Sequence, residues 1–570
     1  MGTVYCILGV MYIAGASLLL ISLAIGCHGK YGPEDLIRFK SAGLGNIRSE
    51  TINGPTILEA GSIPTWLQGN FLRHSCGVFG ETEHRDKALP NYITHMFDCL
   101  EIGQKFKINN GTVTFTNKWY DTVVNDIYNW YGRNMNKSSV FQPGTFGLSN
   151  AQQVDTWDPN ITRSSKVVQV PHVSWWQVGD IPLAMSEGPL GVAIDTETMQ
   201  QKGWIQYADD NFPMTQEYMY TNNPAHEHTE ADGTLWSTVV VIRWLSASAM
   251  QLKRVVYKVG ADKYRHVVGE FLYGVADLKQ CHGMARFPDL DIRPGYMHSF
   301  AITENYIILP ETAYFLDPCV YSHYDNHKPF FPQGFSFEKH GFSRILVMRK
   351  SDGQFFLQTR TIPLFVTHQL GAYEAGDSVH MDMLTYDDAG AYETMPVVDN
   401  MLGPDPYTTN VSRISLNMTS KSVSVVDLRR GKSPATFEMS NINYAYNGKK
   451  YTYAYMVRNF DLHEQNAITK LNVDTGVELE YLLPEGSYVQ EPQFIPYPGA
   501  IFEDDGVILS QGFDGIERKA IMVVIDAKTM TLIGRVVAPD MALFGLHNRL
   551  FPLRAGSAPN FQMPAIPVIG

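Results

Sequence analysis

The chain has 570 residues, a formal net charge of −13 at pH 7, 44% apolar residues and 18% charged residues. This composition excludes a disordered or collagen-like chain, and the acidic balance argues against an unspecific nucleic-acid partner. A chain of this length forms either several ordinary domains or one large closed β architecture. Aromatic residues, at 12%, suit many strands and also suit a cavity for a long apolar ligand.

The first feature along the chain is an uncharged apolar segment, residues 4–27, which is long enough to span a bilayer. The pattern Ala24-x-Gly26 suits signal-peptide cleavage before Cys27, but no Lys or Arg precedes the segment, so an uncleaved anchor is an equal alternative. Residues 1–27 are thus expected to be a signal peptide or membrane anchor that targets residues 28–570 to the secretory pathway, as a secreted or anchored luminal or extracellular body. The Asn-x-Ser/Thr sequons are compatible with that route: Asn110, Asn136, Asn160, Asn410 and Asn417.

Six cysteines are spread over the chain, and no two of them form a CxxC pair. A zinc-knuckle or thioredoxin-like site therefore has no support. So few cysteines in so long a chain predict a fold that does not depend on disulfides. Four of them can still pair in an oxidising compartment, which the sequence leaves open: Cys76, Cys99, Cys281 and Cys319.

The body of the chain is predicted to be all-β, because short β-rich runs recur between Gly and Asp turns and long helical periodicity is hard to find. One hairpin signature is nearly repeated, as Ile194-Asp195-Thr-Glu-Thr-Met and Ile525-Asp526-Ala-Lys-Thr-Met. Related patterns begin at Val473-Asp474 and Val426-Asp427. A strand that ends in Asp, a tight turn and a return strand, repeated along a long chain, is typical of β-propeller blades. Independent hairpins of a β-sandwich are the alternative.

No break in composition divides residues 28–570, so we expect one propeller domain with longer inserts and short helices that form a cap. Residues 315–340 are such an insert and are rich in aromatic residues that look exposed. A packed loop and a membrane-facing mouth through which a lipid enters are both open for this insert.

Four histidines lie among apolar or aromatic residues at widely separated positions: His226, His298, His368 and His547. The first is followed by an Asp232-Gly233 turn and a β-branched run at 238–242 that predicts a buried strand. Because every propeller blade sends its innermost strand to the axis, ligands remote in sequence can converge there. Four neutral imidazoles suit a divalent transition metal, and open coordination positions suit iron with dioxygen, whereas zinc is more usually closed at four ligands.

Histidine ligands need carboxylates behind them that fix the tautomer and the orientation of the ring. Three glutamates in apolar surroundings are candidates, since an unpaired charge would be costly there: Glu187, Glu438 and Glu491. An exposed glutamate is the alternative for each one taken singly. No Ser/His/Asp arrangement or carboxylate pair indicates catalysis by an acid, base or nucleophile of the protein.

A series of motifs runs in order over nearly the whole chain after the apolar segment: Pro64-x-x-Leu67-x-Gly69-x-x-x-Arg73, His95-Met-Phe97-Asp98, Ala225-His226-x-His228-x-Glu230-x-Asp232-Gly233-Thr, Met297-His298-Ser-Phe, Thr367-His368, Phe437-Glu438, Tyr451-Thr-Tyr-Ala-Tyr455, Glu491-Pro and His547. This series resembles the carotenoid cleavage oxygenases, a family that includes animal β-carotene oxygenases and the retinoid isomerohydrolase of the retinal pigment epithelium.

The resemblance implies a seven-bladed β-propeller with ferrous iron (Fe2+) on its axis. Carried over by position, it makes His226, His298, His368 and His547 the ligands and Glu187, Glu438 and Glu491 the orienting carboxylates. His228 corresponds to the nearby histidine that is not a ligand. The implied reaction is cleavage of one double bond of a carotenoid or apocarotenoid by O2 into two carbonyl products, with no catalytic side chain beyond the ligands. A membrane surface is the expected partner besides substrate and O2.

The sequence departs from the family pattern at several points. Glu227 stands where the family usually has Pro, Cys99 follows Asp98 in place of Gly, and Asn548 follows His547 in place of Gly. Arg73 is followed by His-Ser-Cys rather than a Gly-Pro pair. These departures leave the ligands intact but leave the substrate and the cleaved bond open. A retinyl-ester isomerohydrolase on the same scaffold and a non-catalytic carotenoid- or lipid-binding propeller are the alternatives.

Overall fold

The computed structural model describes residues 33–79, 96–121, 173–188, 191–213, 215, 217–282, 286–322, 334–394, 408–458 and 465–553. The predicted signal or anchor segment and the sequons at Asn136 and Asn160 lie outside these ranges. Helices within them are short, at Pro33–Ala42, Pro318–Ser322 and Gly390–Glu393, with 3-10 turns at Met96–Asp98, Leu278–Cys281 and Tyr444–Tyr446. None of the helices in this part of the chain is long and apolar enough to cross a membrane.

Seven antiparallel sheets form the blades of a propeller, which are numbered here in chain order. Blade 1 runs from the axis outwards as β34 Gly545–Phe551, β3 Gly69–Val78, β4 Leu100–Asn109, β5 Thr112–Trp119 and β1 Thr51–Pro55. Blade 2 consists of β6 Ser174–Val178, β7 Ile181–Met185, β8 Val192–Ile194 and β9 Gln201–Trp204. Blade 3 consists of β10 Tyr218–Thr221, β11 His228–Thr229, β12 Leu235–Ser246, β13 Ala249–Val259 and β14 His266–Asp277.

The other four blades follow the same antiparallel order. Blade 4 is β15 Ala301–Ile302, β16 Tyr306–Glu311, β19 Ser343–Arg349 and β20 Phe355–Thr361, with the separate hairpin β17 Tyr314–Leu316 and β18 Phe335–Phe337. Blade 5 is β21 Phe365–Ala375, β22 Ser378–Tyr386, β23 Asn410–Asn417 and β24 Val423–Asp427. Blade 6 is β25 Phe437–Ile442, β26 Tyr453–Arg458, β27 Ala467–Asn472 and β28 Glu478–Leu482. Blade 7 is β29 Ser487–Val489, β30 Gln493–Pro496, β31 Gly506–Asp514, β32 Lys519–Asp526, β33 Leu532–Val537 and β2 Ile57–Gly61.

The ring is closed by strands from both ends of the described chain. The C-terminal strand β34 pairs with β3 of blade 1, with Arg73 opposite Asn548. In the other direction, β2 pairs with β33 at the outer edge of blade 7, with Ile57 opposite Val537. Such closure ties the two ends of the described chain into the ring. The prediction of an all-β, seven-bladed propeller is confirmed.

Each blade buries both faces against its neighbours, and β32 shows how the sequence achieves this. Successive side chains of a strand point to opposite faces. Ala520, Met522 and Val524 pack in one cluster with Phe71 and Phe106 of blade 1. The alternate residues Ile521, Val523 and Ile525 pack in another cluster, with Tyr455 and Ile468 of blade 6. A nearly continuous apolar run is therefore required here, because neither face of the strand meets water.

The repeated hairpin signature corresponds to one turn at the outer edge of several blades. Asp195 accepts hydrogen bonds from the backbone N–H groups of Glu197 and Thr198, and Met199 follows with a φ of 55°. Asp526 and Met530 repeat this turn with the same φ. A non-glycine residue with positive φ is unusual, so the repeat of both features marks equivalent structure.

The two less similar patterns, at Val473-Asp474 and Val426-Asp427, do not form this turn. In blade 6 the turn is made by Asn472, one position before the predicted Val473-Asp474 pattern. Asp427 ends the outermost strand β24, so the prediction of a matching hairpin there is wrong. The equivalent turn of blade 5 begins at Asn417, whose side chain accepts from the N–H groups that follow it. Local sequence alone does not show which strand of a blade precedes a turn.

Two disulfides are present, Cys76–Cys99 and Cys281–Cys319, with Cα atoms 5.5 Å and 5.3 Å apart. These bridges answer the open question of which of the four cysteines pair. That the fold does not depend on them stays a prediction. The ends of the insert at 315–340 are packed rather than exposed, since Phe315 and Phe335 are buried. Residues 323–333 of that insert lie outside the described ranges.

Candidate metal centre

Four histidines reach the propeller axis from four different blades. His226 lies just before β11, His298 lies just before β15, and His368 and His547 lie within β21 and β34. These are innermost segments of blades 3, 4, 5 and 1, so the radial order of the sheets brings together residues that are remote in sequence. We call this group the imidazole cluster: His226, His298, His368 and His547.

The Nε2 atoms of the cluster face one another. The Nε2 atoms of His226 and His547 are 3.1 Å apart, and Nε2 of His368 lies 3.2 Å from those of both His298 and His547. One nitrogen from each ring falls within 4.8 Å of all the others. Nitrogens at right angles on one transition-metal ion, each about 2.1 Å from it, lie about 3 Å apart. The spacing therefore fits four imidazoles around one ion.

A carboxylate stands behind three of the four rings. Glu187 Oε1 lies 2.6 Å from Nδ1 of His298, Glu438 Oε2 lies 2.5 Å from Nδ1 of His368, and Glu491 Oε1 lies 3.0 Å from Nδ1 of His547. Nδ1–H of each ring donates to its carboxylate, so the lone pair of Nε2 is directed at the centre of the cluster. The structure thus places each glutamate singled out in the sequence behind a histidine.

Burial keeps two of the rings in the form that binds metal. Burial and the neighbouring histidines hold the pKa of His226 and of His298 well below its ordinary value. Both imidazoles are therefore neutral near pH 7, as a ligand must be. Burial acts to raise the pKa of Glu438, but the interaction with His368 and the hydrogen bonds from Tyr386 and Thr367 outweigh it, so the net pKa is lowered.

The carboxylate behind His298 has a different environment. Burial raises the pKa of Glu187 to about 8, against the effect of a hydrogen bond that Tyr296 Oη donates over 2.5 Å. Tyr392 Oη also lies 2.5 Å from Nδ1 of His298, so a carboxylate and a phenol share this side of the ring. Burial raises the pKa of both tyrosines well above its ordinary value, and both keep their protons.

Three tyrosines of this network were not found from the sequence. Tyr386 donates to Glu438 Oε1 over 2.5 Å, while Tyr296 and Tyr392 contact Glu187 and His298. Tyr296 precedes a candidate ligand by two residues, and this proximity is a usable signal. Tyr386 and Tyr392 carry no such signal, since they reach the site from the end of β22 and the short helix after it.

His228 does not join the cluster although it is only two residues from His226. Its Nε2 donates to the carbonyl of Phe300 over 2.8 Å, and its Nδ1 lies 3.0 Å from Oδ1 of Asn447. Both ring nitrogens are therefore occupied by neighbouring groups of blades 4 and 6. The geometry agrees with leaving this residue out of the candidate ligand set.

An apolar aromatic wall borders the His298 side of the cluster. Buried rings contact one another there with centroids 5.1–6.1 Å apart: Tyr296, Tyr314, Phe335, Phe365 and Tyr392. Phe97 packs on Tyr392 at 5.4 Å. The Cys281–Cys319 disulfide belongs to the same buried cluster. Such a wall excludes water from one side of the site.

A family profile described as retinal pigment epithelial membrane protein (RPE65) matches residues 46–552. The carotenoid isomerooxygenase of Galleria mellonella is 26% identical over 521 residues, covering 87% of this chain and 93% of that protein. The beta,beta-carotene 15,15'-dioxygenase of Rattus norvegicus is 24% identical over 555 residues, covering 89% of this chain and 91% of that protein. Among solved structures, a mutant of the Synechocystis apocarotenoid oxygenase (ACO) superposes with a TM-score of 0.68 at 18% identity, covering 92% of this chain and 99% of that chain.

Proposed function

Because this chain belongs to the retinal pigment epithelial membrane protein family, the family of the carotenoid oxygenases, we propose that it is a ferrous-iron dioxygenase. The proposed reaction cleaves one double bond of a carotenoid or apocarotenoid with O2. One C=C bond is broken and two C=O bonds form, and each product keeps one atom of the O2 molecule. The names of the relatives, a carotenoid isomerooxygenase and a carotene dioxygenase, support this substrate class.

One observation carries the proposal: the lone pairs of several buried imidazoles are directed at a common point. In three of the rings Nδ1 contacts a carboxylate. Among these three, Nε2 of His368 lies 3.2 Å from Nε2 of His298 and 3.2 Å from Nε2 of His547. Two unprotonated nitrogens at that distance repel unless a cation lies between them. Imidazoles with open coordination positions suit iron better than zinc, and bound ferrous iron supplies the activation of dioxygen.

The residues of the chain bind, orient and exclude water. The carboxylates of Glu187, Glu438 and Glu491 fix the ring orientations, as outer partners of metal ligands do. The aromatic wall excludes water and aligns a rigid polyene beside the cluster, so that one double bond is held in a reactive position. No side chain is required to transfer a proton, because the overall reaction neither takes up nor releases one.

The test is product analysis under labelled oxygen. Iron-loaded protein is incubated with a panel of carotenoids and apocarotenoids in 18O2, and products are reduced at once to alcohols so that label cannot exchange with water. The proposal predicts two products, each with one 18O atom. Because one relative is named an isomerooxygenase, the double-bond geometry of each product is determined as well.

Two other functions predict different results in the same experiment. A retinyl-ester isomerohydrolase is the second candidate. When a retinyl ester is added to the same panel, it releases a retinoid alcohol with no label from O2. A non-catalytic carotenoid-binding propeller binds the polyene and gives no product even with iron fully bound. Either result contradicts the dioxygenase proposal.

We further propose that the protein enters the secretory pathway and works at a membrane surface. The apolar segment at 4–27 and the two disulfides support this, since disulfides persist in oxidising compartments. Asn110, exposed at the tip of the β4–β5 hairpin, is then a suitable glycosylation site. Expression in a secretory host followed by glycosidase treatment should remove a glycan from Asn110. An unglycosylated protein with free thiols would contradict the proposed location.

A further inference from the structure

His226 differs from the other members of the imidazole cluster in how it is held. Among the residues that the structure describes, no carboxylate contacts its Nδ1, whereas the other three rings each have one. The backbone before it is fixed at Ala225, whose N–H donates to the carbonyl of His298 over 2.9 Å and whose carbonyl accepts from Trp176 Nε1 over 2.8 Å. The residue after it, Glu227, is held by a side-chain ion pair.

Glu227 forms an ion pair with a residue beside another member of the cluster. Its Oε1 lies 2.8 Å from Nη1 of Arg549, which also donates to the carbonyl of Trp175 over 3.1 Å. Arg549 follows His547 by two residues on β34. The ion pair therefore joins the two backbone segments whose histidine Nε2 atoms are 3.1 Å apart.

The pair coincides with two departures from the family pattern. The usual Pro at position 227 fixes φ, whereas Glu leaves φ free. The usual Gly after His547 is replaced by Asn548, whose backbone N–H and side-chain amide donate to Glu491 over 2.6 Å and 2.7 Å. A cross-blade ion pair on one side and hydrogen bonds to Glu491 on the other can restrain both segments.

We propose that Glu227 and Arg549 are positioning residues of the metal centre, which hold His226 against His547 in place of a carboxylate on Nδ1. The inference rests on the metal centre of the proposed function and does not depend on the carotenoid substrate. The side chains of Glu227 and Arg549 are 10% and 26% exposed, so water screens the pair only in part and its effect is moderate.

The test measures binding of Co2+ alone to metal-free protein, with no substrate present. We expect Glu227→Gln and Arg549→Met each to raise the Co2+ dissociation constant about three- to tenfold, since outer partners of metal ligands tune affinity. The double variant should bind Co2+ no more weakly than the weaker-binding single variant. Once Arg549→Met has removed the ion pair, Glu227→Gln has no pair left to break. The visible absorption spectrum of the bound Co2+ should shift in all three.

Lys107→Met is the matched control, because Lys107 pairs with Glu197 across blades 1 and 2 at 2.7 Å and is 34% exposed. It should lower thermal stability to a similar degree without changing Co2+ affinity or the cobalt spectrum. Single variants that bind Co2+ like the parent with an unshifted spectrum overturn the proposal, and so does a double variant whose loss is the product of the single losses. Neither outcome bears on whether the loaded enzyme cleaves a carotenoid.

Discussion

Glu438 Oε2 lies 2.5 Å from Nδ1 of His368, and this contact joins blade 6 to blade 5 directly behind the imidazole cluster. The carboxylate is buried and also accepts from Thr367 Oγ1 over 3.0 Å and from Tyr386 Oη. Its oxygens are thus held by neighbours on two strands, and the tautomer of His368 follows from that arrangement. The orientation of a candidate ligand is set here by a residue of a different blade.

Replacing Glu438 by Gln is expected to weaken iron binding about 10- to 100-fold, because the variant loses the charge that supports Nδ1–H of His368. Iron affinity is measured by competition with a chelator of known affinity. Glu503→Gln is the control, since Glu503 accepts backbone N–H groups of Thr452 and Tyr453 away from the cluster. Equal losses in the two variants would show a general effect on folding.

His226 and His228 are two residues apart, and only His226 is proposed as a metal ligand. His226→Ala should lose its iron on desalting, because one of the converging nitrogens is removed. His228→Ala should keep its iron but lose about 1–3 kcal/mol of unfolding free energy, because the buried Phe300 carbonyl loses its donor. Metal content and urea unfolding are measured on both variants. Iron loss from His228→Ala, with iron kept by His226→Ala, would reverse the assignment.

Removing the Cys281–Cys319 disulfide tests whether the fold depends on it. The bridge joins residues 38 apart in sequence, and the double variant Cys281→Ser with Cys319→Ser should lose about 2–4 kcal/mol of unfolding free energy. Urea unfolding without reductant is compared with that of the parent. An unchanged midpoint would confirm the prediction from the cysteine count that the fold does not depend on disulfides. Cys76→Ser with Cys99→Ser gives the same comparison for the second bridge.

The features of this site that depend on local sequence could be predicted. The histidines stand next to strand-forming runs and the glutamates in apolar surroundings, and the Asp195 and Asp526 turns are local hydrogen-bond patterns. Tyr392 could not be predicted, because its contact with His298 depends on how blades 4 and 5 pack. Cysteine pairing is likewise long-range, since four cysteines allow three connectivities and sequence does not choose among them.

Asp427 is a second position at which the local sequence was not enough for a correct prediction. Its pattern matches the hairpin signature, and its side chain accepts from the N–H of Arg429, but it ends β24 instead of connecting two strands of a blade. The turn expected there is made by Asn417, because the pairing of β23 with β24 fixes where the blade reverses. A local turn motif predicts a turn, and strand pairing decides its place in the blade.

Iron K-edge X-ray absorption of the iron-loaded protein tests the convergence of the imidazole cluster on one metal ion most directly. We expect a single class of iron coordinated by four imidazole nitrogens and no sulfur, from His226, His298, His368 and His547. The His226→Ala variant, loaded with excess iron, should show one imidazole fewer. A parent spectrum with fewer than four imidazoles, or with a sulfur ligand, would contradict the account.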